Sequence, residues 1–155
     1  MADATEQTDL TETAAHLSLA VARIARRLRQ EATKPGGESF LTPAMTSALA
    51  AVERKGPITP SELADIELVK RPTATRLLAR LEGAGMVERT PDPDDGRSAI
   101  VTVTAKGRDR LRRVRVRKNA YLARRMKALP PADVATLGRA AEILEAMIDT
   151  ERETT

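Results

Sequence analysis

Three helix starts are written into the stretch from Thr42 to Pro72, and that punctuation leaves little choice of architecture. Thr42-Pro43 supplies an N-cap hydroxyl followed by a proline at the first helical position. Thr59-Pro60-Ser61-Glu62 repeats the pattern as a full capping box. Pro72 sits at the first position of a further helix, which Gly85 ends, while Gly56-Pro57 stops the first. Helices this closely spaced are short and must pack on one another through single faces. Met45, Leu49 and Val52 form one such face, Leu63 and Ile66 the next, and Ala74, Leu77, Leu78 and Leu81 the third.

After Gly85 the pattern changes. Met86 to Thr90 and Ser98 to Thr104 are strand-like, and the Asp-Asp-Gly between them is ordinary hairpin-turn chemistry. Two capped helices joined by a tight turn and followed by a hairpin read as a helix-turn-helix with a wing. Thr59–Leu68 is the positioning helix, Pro72–Ala84 the recognition helix and Met86–Thr104 the wing. Opposite its apolar side, the recognition helix carries Pro72, Arg76, Ala79, Arg80 and Gly83, flanked by Thr73 and Thr75. Arginine addresses guanine edges, threonine reaches a base or a thymine methyl, and a helix N-terminus favours phosphate. At the hairpin tip Asp95 and Arg97 flank Gly96. An arginine there suits a narrow minor groove, where the negative potential is enhanced. A charge stripe alone is most often a solvated face, and a charged turn alone is only a turn. Their order along the chain favours function.

Composition narrows the classes. At 155 residues the chain fits one domain with room for a core. It has no cysteine, which excludes disulfides, thiolate metal sites and cysteine redox sensing. His16, the single histidine, lies off the helical seam described below, where packing or solvation explains it better than metal binding; no metal and no cofactor is expected. No nucleophile elbow or phosphate-cradling glycine loop is present, so no enzyme is expected. No apolar run approaches a membrane span, and the polar, acidic N-terminus is unlike a signal peptide, so the expected location is cytoplasmic. The net charge of +4 is unevenly spread. From Lys106 to Lys127 every charged residue but Asp109 is basic, whereas both ends of the chain are acidic. A basic middle implies a polyanionic partner, pairing between segments, or both. Phe40 and Tyr121 are the only aromatics, which disfavours single-strand and RNA recognition and leaves duplex DNA.

Long helices are expected at both ends. The first opens at Asp9, whose spacing to Glu12 makes a capping box, and ends before Lys34-Pro35-Gly36-Gly37. Leu10, Ala14, Leu17, Val21, Ile24 and Leu28 form a narrow seam along it. After the wing, Leu111, Val114, Tyr121, Leu122, Met126 and Leu129 run through a field of arginines until Pro130-Pro131. Val134, Leu137, Ala141, Leu144 and Ile148 make a further seam in the last helix. Neither terminal seam belongs to the small winged unit. They pack on each other within one chain or between two subunits, and a dimer is favoured.

At this point the residues resemble the MarR (multiple antibiotic resistance regulator) family over almost the whole chain, from Leu10 to about Ile148. The most specific stretch is R-P-T-A-T-R-L-L-A-R-L-E-G-A-G-M-V-E-R from Arg71 to Arg89, followed by D-G-R-S-A-I-V-T-V-T. The second piece is similar to the family's wing signature, an Asp and an Arg two apart before a strand ending in Leu-Thr. Here Val103-Thr104 stands in its place. The resemblance implies a triangular homodimer built by the first and last helices and the long helix after the wing. It places Arg71, Pro72, Thr73, Thr75 and Arg76 on a major-groove helix, Arg97 in the minor groove, and Asp95 as the acid that orients Arg97. It also brings in a small-molecule effector, frequently phenolic in the family, bound between the dimerisation helices and the winged unit. The scarcity of aromatics argues against a phenol-stacking pocket, and the absence of cysteine removes the family's oxidant-sensing route.

The expected fold is therefore mainly α with a small β-hairpin wing: a winged helix-turn-helix with long N- and C-terminal dimerisation helices. The expected organisation is an N-terminal dimerisation helix over 9–34, a winged unit over 40–104 and C-terminal helices over 105–152, intertwined as one domain. The expected DNA contacts are Arg71, Pro72, Thr73, Thr75, Arg76 and Arg80 on the helix and Asp95, Arg97 and Ser98 on the wing. Leu10, Leu17, Val21, Ile24, Val134, Leu137, Ala141, Leu144 and Ile148 are the expected dimer contacts. The expected function is transcriptional regulation, as a homodimeric repressor on a pseudo-palindromic duplex operator. Two other classes use the same surfaces: a weakly specific architectural DNA binder, and a protein-interaction module whose winged unit no longer binds DNA.

Overall fold

The computed structural model describes residues 2–33, 41–92 and 99–153. Among them are six helices and one two-stranded antiparallel hairpin. The order is α1 (Ala2–Thr33), α2 (Pro43–Lys55), α3 (Pro60–Ile66), α4 (Arg71–Gly83), β1 (Val87–Pro91), β2 (Ala99–Val103), α5 (Ala105–Met126) and α6 (Pro131–Glu153). Two compact units divide the chain, Met1–Lys118 and Asn119–Thr155.

The caps predicted for α2 and α3 form. Thr42 accepts the Met45 N–H at 3.2 Å and Pro43 opens α2. At α3 the box is reciprocal: Thr59 Oγ1 accepts the Glu62 N–H at 3.2 Å, and Glu62 accepts the Thr59 N–H at 2.6 Å. Two helix starts differ from expectation. α4 begins at Arg71 with Lys70 as a cap that makes no side-chain bond, so Pro72 occupies the second helical position. α1 begins at Ala2, which puts Asp9 inside the helix and not at its cap. Residues 2–8 contain neither glycine nor proline, so nothing halts the helix on the N-terminal side of the Asp9–Glu12 pattern.

One core joins α2, α3, α4 and the hairpin. Leu49, Val52, Leu63, Leu78, Leu81, Met86 and Val101 are its fully buried large side chains. Burying each contributes on the order of 1.5–3 kcal/mol before entropy is counted. The strands pair from Val87↔Val103 to Pro91↔Ala99. Ile58, between α2 and α3, adds a third backbone segment beside β2 by exchanging hydrogen bonds with Val101 at 3.1 and 2.8 Å. That bridge fastens the wing to the helices.

The start of α5 is tied to the end of α4. Gly85 ends the helix at φ +69°, a left-handed conformation that glycine adopts without penalty. Thr104 donates its hydroxyl to the Gly85 carbonyl at 2.7 Å and accepts the Gly107 N–H at 3.1 Å, capping α5. Lys106 Nζ reaches the Ala84 carbonyl at 2.9 Å. The helix that leads away from the wing thus begins fixed to the helix that precedes it.

Candidate nucleic-acid interface

α4 divides into two faces. Ala74, Leu78 and Leu81 are fully buried and Leu77 half-buried, so the helix is anchored by one side. On the other side Arg71, Pro72, Thr75, Arg76, Ala79, Arg80 and Gly83 are exposed, and Thr73 is half-buried between the two. The predicted helix residues therefore share one surface, where Thr73, Arg76, Ala79 and Arg80 border a shallow depression. Thr75 spends its hydroxyl proton on the Arg71 carbonyl at 3.0 Å, leaving its oxygen as an acceptor and its methyl free.

The electrostatics of this face are one-sided. Among the described residues no carboxylate pairs with Arg71, Arg76 or Arg80. Glu82, the acid on the same helix, is held by Arg89 of β1 at 3.0 Å. The first turn of α4 has no acidic residue, and Lys70 and Arg71 stand where the helix dipole is positive. Cations at that end are unfavourable in the free protein and become favourable once an anion arrives. Chemically, the face offers unpaired guanidinium donors, backbone N–H groups at a helix start and small residues that admit close approach.

Asp95, Arg97 and Ser98 lie outside the described residues. The strands on either side of that stretch are described: β1 and β2 run antiparallel to Pro91 and Ala99, directly after α4.

On α1 the predicted seam residues Leu10, Leu17, Val21 and Ile24 are 64%, 40%, 43% and 41% exposed. Ala32 is the one buried side chain of α1 among the described residues. On α6, Val134 and Leu144 are half-buried, while Leu137, Ala141 and Ile148 are exposed.

Some features were not singled out from the sequence. Arg115 of α5 grips Glu53 of α2 through both guanidinium nitrogens, at 2.6 and 3.2 Å, which raises the Arg115 pKa through the hydrogen bond and then the charge. Their separation of 62 positions in the sequence gives no local signal. Beside this pair, α1, α2 and α5 enclose an open cleft of about 380 Å³. Ala50, Leu111 and Val114 supply apolar lining, and Arg29, Arg115 and Lys118 supply charge. No His, Asp or Glu cluster suited to a metal occurs among the described residues, and none of their helices is long and apolar enough to cross a membrane.

Comparison with known proteins gives a consistent picture. Residues 41–99 match the model of the MarR family. An uncharacterised helix-turn-helix (HTH) type transcriptional regulator of Mycobacterium bovis is 36% identical over 137 residues, covering 88% of this chain and 92% of that protein. The HTH-type transcriptional repressor IacR of Pseudomonas putida is 30% identical over 84 residues, 54% of this chain and 50% of its own. The apo crystal structure of Escherichia coli MarR superposes with a TM-score of 0.67 at 26% identity, covering 83% of this chain and 96% of that one.

Proposed function

The chain belongs to the MarR family and is a DNA-binding transcriptional regulator, and from that premise we propose that it is a cytoplasmic homodimeric repressor of a pseudo-palindromic operator. The observation that carries the proposal is the unpaired cationic face of α4, anchored by Ala74, Leu78 and Leu81. Arg71, Pro72, Thr73, Thr75, Arg76 and Arg80 enter the major groove; Asp95, Arg97 and Ser98 take the wing to the adjacent minor groove. The exposed seams of α1 and α6 support dimerisation, because a long helix with an uncovered apolar stripe is marginal in water. Repression is the role of the Pseudomonas putida relative and is proposed here by similarity.

The effector reading rests on the cleft beside Arg115. Its volume suits a small ligand, and apolar lining under three cations suits an organic anion. A carboxylate seated there competes with Glu53 for Arg115, loosening the tie between α2 and α5.

Recovery of the duplex fragments that the protein binds in its host tests the function. The expected result is an inverted repeat overlapping a promoter, whose transcription falls when purified protein is added. Arg97→Ala then weakens operator binding by about 1–3 kcal/mol and blunts any preference for flanking A·T pairs. Equal competition by random duplex would favour an architectural binder, and no duplex binding at low salt would favour a protein-interaction module. Equal operator affinity for Arg97→Ala and wild type would remove the wing assignment.

A further inference from the structure

The turn that links α3 to α4 is built on a leucine where the backbone asks for glycine. Leu68 has φ +51°, the one left-handed non-glycine residue among those described. The Leu68 N–H bonds the Asp65 carbonyl at 3.3 Å and the Val69 N–H bonds the Ala64 carbonyl at 3.0 Å. Those two bonds are the Schellman arrangement of a helix end, in which the left-handed position is normally glycine. Val69 makes the apolar contact that accompanies the motif, packing half-buried against the core. The stop therefore needs nothing from the Leu68 side chain.

Nor does the core use it. Leu68 is 92% exposed, above every other large apolar side chain described. A γ-branched side chain is thus carried at a conformational cost and a hydration cost, with no return from the described residues. Its place in the fold is informative: Leu68 lies two residues before the Lys70 cap and three before Arg71, at the cationic end of α4.

The geometry points to Leu68 as an apolar specificity contact on the operator, meeting the C5-methyl group of a thymine at the edge of the major groove where α4 enters. The inference rests on the proposed insertion of α4. Thymine methyls are the apolar feature that the major groove displays, and an aliphatic side chain is their natural partner. Lys70 and Arg71 follow Leu68 by two and three residues and draw phosphate to this end of α4, while Glu67 on its other side is engaged by the Ser47 hydroxyl at 3.1 Å, so the exposed Leu68 lies beside a bound duplex.

Glycine at this position separates recognition from folding. Leu68→Gly removes the side chain and relieves the left-handed strain, so its Tm is expected to stay within about 2 °C of wild type. The assay measures affinity for an operator selected by the wild-type protein from a random duplex pool. Thymines are replaced one at a time by deoxyuridine, which deletes the methyl and keeps the base pair. For wild type, one replacement per half-site is expected to cost about fourfold, the equivalent of about 0.8 kcal/mol for one methyl. Leu68→Gly is expected to lose that penalty, and Leu68→Met to restore it. An equal penalty in wild type and Leu68→Gly, or no penalty at any thymine, overturns the inference while the α4 assignment stands. A protein that selects no operator, or an Arg76→Ala variant that binds the selected one like wild type, refutes the α4 assignment itself and takes the inference with it.

Discussion

Gly107→Ala should cripple the protein through a single methyl group. Gly107 is buried in the first turn of α5, where its N–H donates to Thr104 Oγ1 at 3.1 Å. A Cβ built there falls inside the van der Waals shell of the Met86 carbonyl oxygen and lies 2.8 Å from Val103 Cγ2. Neither neighbour yields easily. Met86 is fully buried, and its carbonyl already accepts the Thr104 N–H at 3.0 Å. Relief therefore requires α5 to move away from the hairpin, straining the Thr104 cap and the contacts of Lys106 and Arg108 with the Ala84 and Val103 carbonyls. Overpacking against backbone costs about 3 kcal/mol, the upper end of the usual range. At this chain length that lowers Tm by roughly 6–12 °C. Thermal unfolding at fixed protein concentration reads the loss, with Gly83→Ala as the control because its new Cβ meets nothing within 4 Å. The wing is hinged at the same place, so operator affinity should fall as well. A Gly107→Ala protein with wild-type Tm would show that α5 does not close on Met86 as described.

Other expectations follow from the two faces of α4 and from the terminal seams. Arg76→Ala should leave Tm unchanged and weaken operator binding by about 1–3 kcal/mol, whereas Leu78→Ala should lose about 2–5 kcal/mol of stability as a core truncation; the reverse pattern would mean the helix is rotated. Leu144→Glu should give monomers or unfolded chains in sedimentation, since an unpaired carboxylate in a buried seam is costly, and an intact dimer would remove α6 from the interface.

The winged unit was legible because its signals are local. Thr42, Thr59 and Glu62 cap the helices that follow them, and the buried side of α4 follows helical spacing. Boundaries were less legible. The Asp9–Glu12 pattern marks a helix start only when something interrupts the chain before it, and residues 2–8 hold no such break. Leu68 escaped notice because the signal for a Schellman stop is a glycine, and here the bonds from Leu68 and Val69 end α3 without one. The Glu53–Arg115 pair and the Ile58–Val101 bridge join residues far apart in sequence, so only the packed core reveals them. The crowding at Gly107 is of the same kind, since it depends on where Met86 is carried by the hairpin.

The central claim is that two copies of this chain place two α4 helices on one operator. Footprinting of the selected duplex, with the stoichiometry of the complex measured by sedimentation, tests it most directly. One dimer per operator is expected, with protection of two half-sites about 10 bp apart centre to centre. Binding should fall steeply with salt as phosphate contacts release counterions. A stable monomer that protects a single half-site at full affinity would contradict it.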